Sequence, residues 1–291
     1  MPVLICIVSA FFWAAFDLTR KLTLEKISSI NLLLIFTITQ LIIFFIWLFF
    51  EDFSINLIPY LLPGITLIII GLFSALLFLK AIKQSDLSLT IPLLSLSPMF
   101  SSLFSFFFLN EQLSNIQYLG IFLIISGTLI LYSKKLTIYE IIKSFKIILK
   151  NSSAKLMVLV SIIWSLTPVL DKICLKNSSV NIHGFIQSLG MITLLIFLFK
   201  KDKVQTENTK KNWRIILLTV FIGSTATILQ FYAILTNYVP IMESIKRSIG
   251  QLSSVFLGKI FFNEEVNKPK VVGVIVLSIG VYFILGNEVI I

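Results

Sequence analysis

Ten apolar runs, each roughly 18–24 residues long, make up most of this chain. They fall at about 2–22, 30–50, 58–80, 87–109, 115–133, 155–175, 182–200, 213–236, 240–262 and 269–287. A helix rises about 1.5 Å per residue, so each run is long enough for a hydrocarbon core of about 30 Å. No water satisfies backbone N–H and C=O groups there, which leaves helices or closed barrels. Barrel strands are about ten residues long and alternate in polarity. These runs are continuous, so they predict an all-α, multi-pass membrane protein with ten transmembrane helices. Hydrophobic residues are 57% of the 291 and charged residues 13%, a balance that lipid as solvent explains and water does not. The first run has no basic leader or small-residue cleavage site, so it reads as a span.

The net charge of +10 collects in loops. Two are long and basic, residues 133–153 and 200–214. In the first, Ile138, Ile141, Ile142, Phe145, Ile148 and Leu149 share one helical face, with Glu140, Lys143, Lys146 and Lys150 on the other. That pattern reads as an interfacial helix, or as a spacer whose lysines set topology. Membrane lipids are therefore the expected partner of the basic loops, and nucleic acid is not. The bias of Lys and Arg to loops after spans 1, 3, 5, 7 and 9 puts those loops in the cytoplasm and both termini outside. Cys6 and Cys174 read as small buried hydrophobes; they make neither a disulfide framework nor a metal set, and no cofactor is expected.

The second half of the chain repeats the first. SAFFWAAFDLTRKLTLEK around Trp13 stands beside SIIWSLTPVLDKICLKN around Trp164. GLFSALLFLKAI from Gly71 matches GSTATILQFYAI from Gly223. One offset aligns Asn110 and Glu111 with Asn263 and Glu264, Gly120 with Gly273, and Gly127 with Gly280. The parts are a first repeat at 1–133, a basic amphipathic linker at 134–154 and a second repeat at 155–291. Five spans per repeat is odd, so the two five-helix repeats must lie inverted in the membrane.

In this duplicated order of Trp, Asn-Glu hairpin and G-x6-G final span, the whole chain resembles the EamA-type transporters of the drug/metabolite transporter superfamily. The resemblance implies a central cavity lined by the first, third and fourth helices of each repeat, with the fifth at the periphery. It also implies secondary transport of small metabolites, often as export or exchange, and termini in the cytoplasm, against the loop charges.

Candidate site residues lie on polar stripes within these spans. In the ninth, Glu243, Arg247, Gln251 and Ser254 share a face, with Lys246 on its flank. Charge inside a span costs about 2.5–3.5 kcal/mol per residue on insertion scales. Either these side chains pair and snorkel from the helix end, or Lys246 and Arg247 hold an anionic substrate group with Glu243 orienting them. The fourth span carries no charge. Pro92 and Pro98 predict a kink, and Ser88, Ser95 and Ser102 form a line that either bonds back to carbonyls or faces the substrate path. The first span aligns Ser9, Trp13, Asp17 and Arg20; the sixth aligns Trp164, Pro168 and Asp171, with Lys172 beside them. Asp17 and Asp171 are the coupling candidates, with a salt bridge from Asp17 to Arg20 or Lys21 as the other reading. Thr219, Gly223, Thr227 and Gln230 share a stripe in the eighth span, with Gln230 either the direct hydrogen-bonder to substrate or a packing residue. Trp13 and Trp164 are ligand platforms or packing residues. His183 sits at a loop edge and reads as solvated, with a pH switch as the other reading, and Glu111 and Glu264 read as caps of short turns near the interface.

The function expected is secondary active transport, by export or exchange, of a small polar metabolite such as an amino acid or related anion. The setting expected is a bacterial inner membrane. A non-transporting partner or sensor subunit and a flippase for lipid-linked substrates are the alternatives. An enzyme is not expected, because one histidine and two separated cysteines supply neither a nucleophile with its base nor a metal site.

Overall fold

A computed structural model describes residues 2–51, 53–84, 91–133, 135–140, 152–199, 206–263 and 265–285. Among them the regular structure is helical, apart from an isolated antiparallel bridge between Ile55 and Ser178. The first five long helices are α1 Pro2–Leu24, α2 Ser29–Trp47, α3 Leu57–Gln84, α4 Ser97–Leu109 and α5 Asn115–Tyr132. The second five are α6 Ser152–Lys176, α7 Val180–Leu198, α8 Trp213–Thr236, α9 Val239–Phe262 and α10 Lys268–Leu285. A six-residue helix, Thr206–Lys211, precedes α8.

Seven of these, α1, α2, α3, α6, α7, α8 and α10, are long and apolar enough to cross a membrane. The other three depart from the expectation of ten equal spans for physical reasons. The apolar stretches Leu93–Leu109 and Asn115–Leu131 are shorter. α9 has the length, but carries Glu243, Lys246, Arg247 and Lys259. The predicted kink in the fourth span is a change of helix type. Ile91–Leu96 forms a 3-10 helix, and α4 restarts with Pro98 in its first turn, where the missing N–H costs nothing. Most of the predicted interfacial helix, and Ser88 and Glu264, lie outside the described residues.

The chain divides into two compact units, residues 1–80 with 167–236, and residues 81–166 with 237–291. Each draws on both sequence repeats, and the divisions fall inside α3 and α6.

In the first unit α1 packs on α8. Thr23 and Thr219 join their hydroxyls at 2.8 Å, and Gly223 leaves room for the Phe16 ring, which would lie 2.5 Å from an added Cβ. Gln40 of α2 donates to Thr227 at 2.9 Å, and Phe44 fills the space left by Gly184 of α7. Three members of the eighth-span stripe are thus spent on joining helices. The loop before α3 is tied to the loop after α6 by Asn56 N–H to the Asn177 carbonyl at 2.8 Å and Ser179 N–H to the Ser54 carbonyl at 3.3 Å.

In the second unit α5 and α10 approach through four glycines. A Cβ on Gly120 would lie 2.6 Å from the Gly280 carbonyl oxygen, and one on Gly127 2.8 Å from that of Gly273. Residue numbers rise along α5 as they fall along α10, so the two run antiparallel. α4 and α9 end alike, on Asn110 and Asn263 at φ 57° and 52°, with cap N–H groups returning to the Ser105 and Gly258 carbonyls. Asn tolerates this left-handed turn better than most residues. Glu111 reaches beyond its own turn. It is buried, and its Oε2 accepts from the Val239 N–H at 2.8 Å, so it serves the N-terminus of α9. The α9 N-cap residue, Tyr238, makes no side-chain cap bond to that end, and a carboxylate there suits the helix dipole.

Candidate functional site

The charges of α9 turn inward and meet on one carboxylate. Glu243 is fully buried, and Lys246 and Arg247 are 9% and 8% exposed. Lys246 Nζ pairs with Glu243 Oε1. Arg247 Nη2 lies 2.8 Å and Nε 3.1 Å from Glu243 Oε2. Spacings of three and four residues allow this, because they put all three side chains on adjoining turns of one face. Both cationic heads are held by Glu243.

Ser97, which sequence reasoning passed over, completes the cluster. Its hydroxyl donates to Glu243 Oε2 at 3.0 Å and accepts from Arg247 Nε at 2.8 Å. The 3-10 stretch explains why Ser97 is the serine involved. With about three residues per turn instead of 3.6, it rotates the chain out of the seven-residue line of Ser88, Ser95 and Ser102. Ser102 bonds back to the Met99 carbonyl at 2.8 Å, as the packing reading of that line expects. Ser95 lies 2.6 Å from Thr128 Oγ1, which is itself 3.4 Å from Gln251 Oε1. Ser95 and Gln251 therefore tie the broken helix to α5 and α9 instead of standing open. Trp164 is half-buried, its ring centroid 5.5 Å from the Arg247 guanidinium. The cluster carries one carboxylate and two cations, hence one net positive charge. Arg247 spends its Nε and Nη2 on Glu243 and Ser97, while Nη1 takes no partner among the described residues. That edge has the geometry to receive a carboxylate or similar anion.

In the first unit the remaining candidates fall into two groups. Asp17 pairs with Arg20 one turn away, as the salt-bridge reading has it. The Arg20 guanidinium lies 4.2 Å from the Phe16 centroid, 4.3 Å from Phe78 and 5.8 Å from Trp13. Trp13 thus joins a cation–π cage around an arginine. Gln230 is half-buried on α8. Asp171 faces His183, whose Nε2 lies 3.1 Å from its Oδ1. His183 corrects the sequence reading. It is not solvated but fully buried, with Tyr60 Oη 2.9 Å from Nδ1. Val180 begins α7, so His183 lies within its first turn, on the side that faces α3 and α6. Tyr60 and Gln187 carry no sequence signal for this role, since each sits singly in an apolar stretch.

Comparison with known proteins gives a family. The EamA-like transporter family matches the chain twice, over residues 1–133 and 151–286. No curated protein matches. Among solved structures, a crystal structure whose title gives no function superposes with a TM-score of 0.65. The match covers 97% of this chain and 95% of the other at 15% identity, and so shows likeness of fold.

Proposed function

The chain belongs to the EamA-like transporter family, and on that premise we propose that it is a secondary active transporter, exporting or exchanging a small polar metabolite with an anionic group. Amino acids and related anions are the substrate class. The observation that carries this is the α9 cluster. A buried arginine keeps one edge without a partner among the described residues, beside an aromatic ring and inside a cluster of one net positive charge. Burying such a charge is costly unless a ligand or cavity uses it. Glu243 and Ser97 orient the guanidinium, Lys246 adds field, and Trp164 supplies an apolar wall.

The working cycle is alternating access of two inverted repeats in a bacterial plasma membrane. Antiparallel packing of the equivalent helices α5 and α10 supports the inversion. Coupling falls to the carboxylates Asp17 and Asp171. The basic loops lie in the cytoplasm, following the excess of Lys and Arg.

The test is a metabolite screen of vesicles with and without the protein, repeated with Arg247→Ala. That variant leaves Glu243 paired with Lys246, so it is expected to fold and to lose transport of the identified substrate by 100-fold or more, on the order of 3 kcal/mol. Undiminished transport would return the α9 charges to a purely structural role.

A further inference from the structure

Four helices of the first unit meet around His183, the one histidine of the chain. Its Nδ1 is 2.9 Å from Tyr60 Oη on α3, and its Nε2 is 3.1 Å from Asp171 Oδ1 on α6. Gln187, one turn further along α7, puts its amide nitrogen 3.5 Å from Tyr60 Oη and 3.2 Å from the Gly64 carbonyl. Phe231 of α8 packs edge-on to the imidazole, with centroids 5.0 Å apart. Cys174 of α6 is the other titratable neighbour, its Sγ 3.9 Å from the Tyr60 carbonyl. Lys172 is adjacent to Asp171 in sequence and also buried. α8 contributes Phe231 to this contact, and α2 reaches the group through Phe44, against Phe231 and Gly184.

The carboxylate at one end selects a direction. Ionised Asp171 only accepts, so the His183 Nε2 that faces it carries the ring proton. In the neutral imidazole Nδ1 is then bare and accepts the Tyr60 phenolic proton. Tyr60 Oη in turn accepts from the Gln187 amide nitrogen. Each bond has one donor and one acceptor, and the series ends on a carboxylate that is 13% exposed while the histidine is fully buried. Asp171 is thus the member a proton can reach.

We infer that Gln187, Tyr60, His183 and Asp171 form a proton-binding site. His183, as the Nε2–H tautomer, positions the Asp171 carboxylate. That carboxylate takes up and releases the proton which, on the transport reading above, drives the cycle. Uptake converts the carboxylate to a carboxylic acid and removes the anion toward which α3 and α7 direct their donors. The tie between α3, α6 and α7 loosens at the end of the unit already pinned by the Ile55–Ser178 bridge. His183, Tyr60 and Gln187 are positioning residues in this scheme.

Two spectroscopic measurements on the purified full-length protein test it without a substrate. Labelling with 15N-histidine gives the spectrum of a single imidazole. A protonated Nε2 and a bare Nδ1 are expected, with Tyr60→Phe removing that preference. A ring protonated at Nδ1 overturns the directed series. Infrared difference spectra across pH follow the C=O stretch of a protonated carboxyl, assigned by its loss in Asp171→Asn. His183→Leu removes the donor that faces the carboxylate, so the pH at which the band appears should change. His183→Gln keeps an N–H donor and should return it toward the unmodified protein. Absence of any Asp171-dependent band, or one indifferent to His183→Leu, overturns the proposal. An empty metabolite screen would bear on the transport reading alone.

Discussion

Glu243→Gln puts the α9 cluster under the most direct test. The side chains are nearly equal in size, so packing is kept and charge is removed. Glu243 is fully buried and holds Lys246, Arg247 and Ser97 together. Its loss changes the local charge from +1 to +2 by removing the one carboxylate opposite two cations. It also sets a donating amide against donors. Breaking a buried pair by deleting one partner costs about 3–5 kcal/mol. At about 1.4 kcal/mol per tenfold, the folded-to-unfolded ratio falls by about two to three and a half orders of magnitude. Cys6 and Cys174 are both buried, so a thiol-reactive fluorophore in detergent reports thermal unfolding. Adding Lys246→Met to Glu243→Gln restores a net +1 and should recover most of the lost stability. The reasoning is refuted if Glu243→Gln stays within about 1 kcal/mol of the parent, or if the double variant is no more stable than the single.

Three further outcomes follow from the same geometry. Gly120→Ala places a methyl 2.6 Å from a backbone oxygen of α10, so the helices must part; a loss of about 1–3 kcal/mol is expected in the same unfolding assay, with Gly71→Ala, which meets nothing within 4 Å, as the control. Asp17→Asn removes the Asp17 carboxylate from Arg20 and leaves its aromatic cage in place; if Asp17 couples protons, transport should lose its pH dependence and keep substrate binding, and retained pH dependence assigns Asp17 to structure. A cysteine replacing Asn208, in the second basic loop, should resist a membrane-impermeant thiol reagent in intact cells, and labelling would reverse the proposed orientation.

Much of the scaffold was readable because a membrane makes few demands and makes them everywhere. Apolar length located the seven helices long and apolar enough to cross a membrane, and the common offset of Gly120, Gly127, Gly273 and Gly280 marked the repeat, while their contact is visible only in the structure. The α9 cluster was readable for a similar reason, since Glu243, Lys246 and Arg247 are close in sequence and one helical periodicity brings them together. Its fourth member was hidden, because Ser97 reaches it from 146 residues away across a local change in helical pitch. His183 was misread on position. Closeness to a predicted loop suggests water, but Tyr60 and Asp171, 123 and 12 residues away, enclose it. Glu111 shows the same limit, since the helix end it caps is 128 residues distant. Periodicity sees partners on one helix; it does not see partners supplied by another.

The glycine contact between α5 and α10 carries a consequence for how the two repeats meet. Gly120 of one repeat meets Gly280, which is the counterpart of Gly127, and Gly127 meets Gly273, the counterpart of Gly120. Exchanging the repeats leaves this pattern unchanged, which makes the contact isologous in kind although it lies within one polypeptide. A face of that sort is complementary to itself. Each repeat therefore presents to the other the same glycine-lined face, and the two differ elsewhere, with serines and prolines in one where the other has Glu243, Lys246 and Arg247.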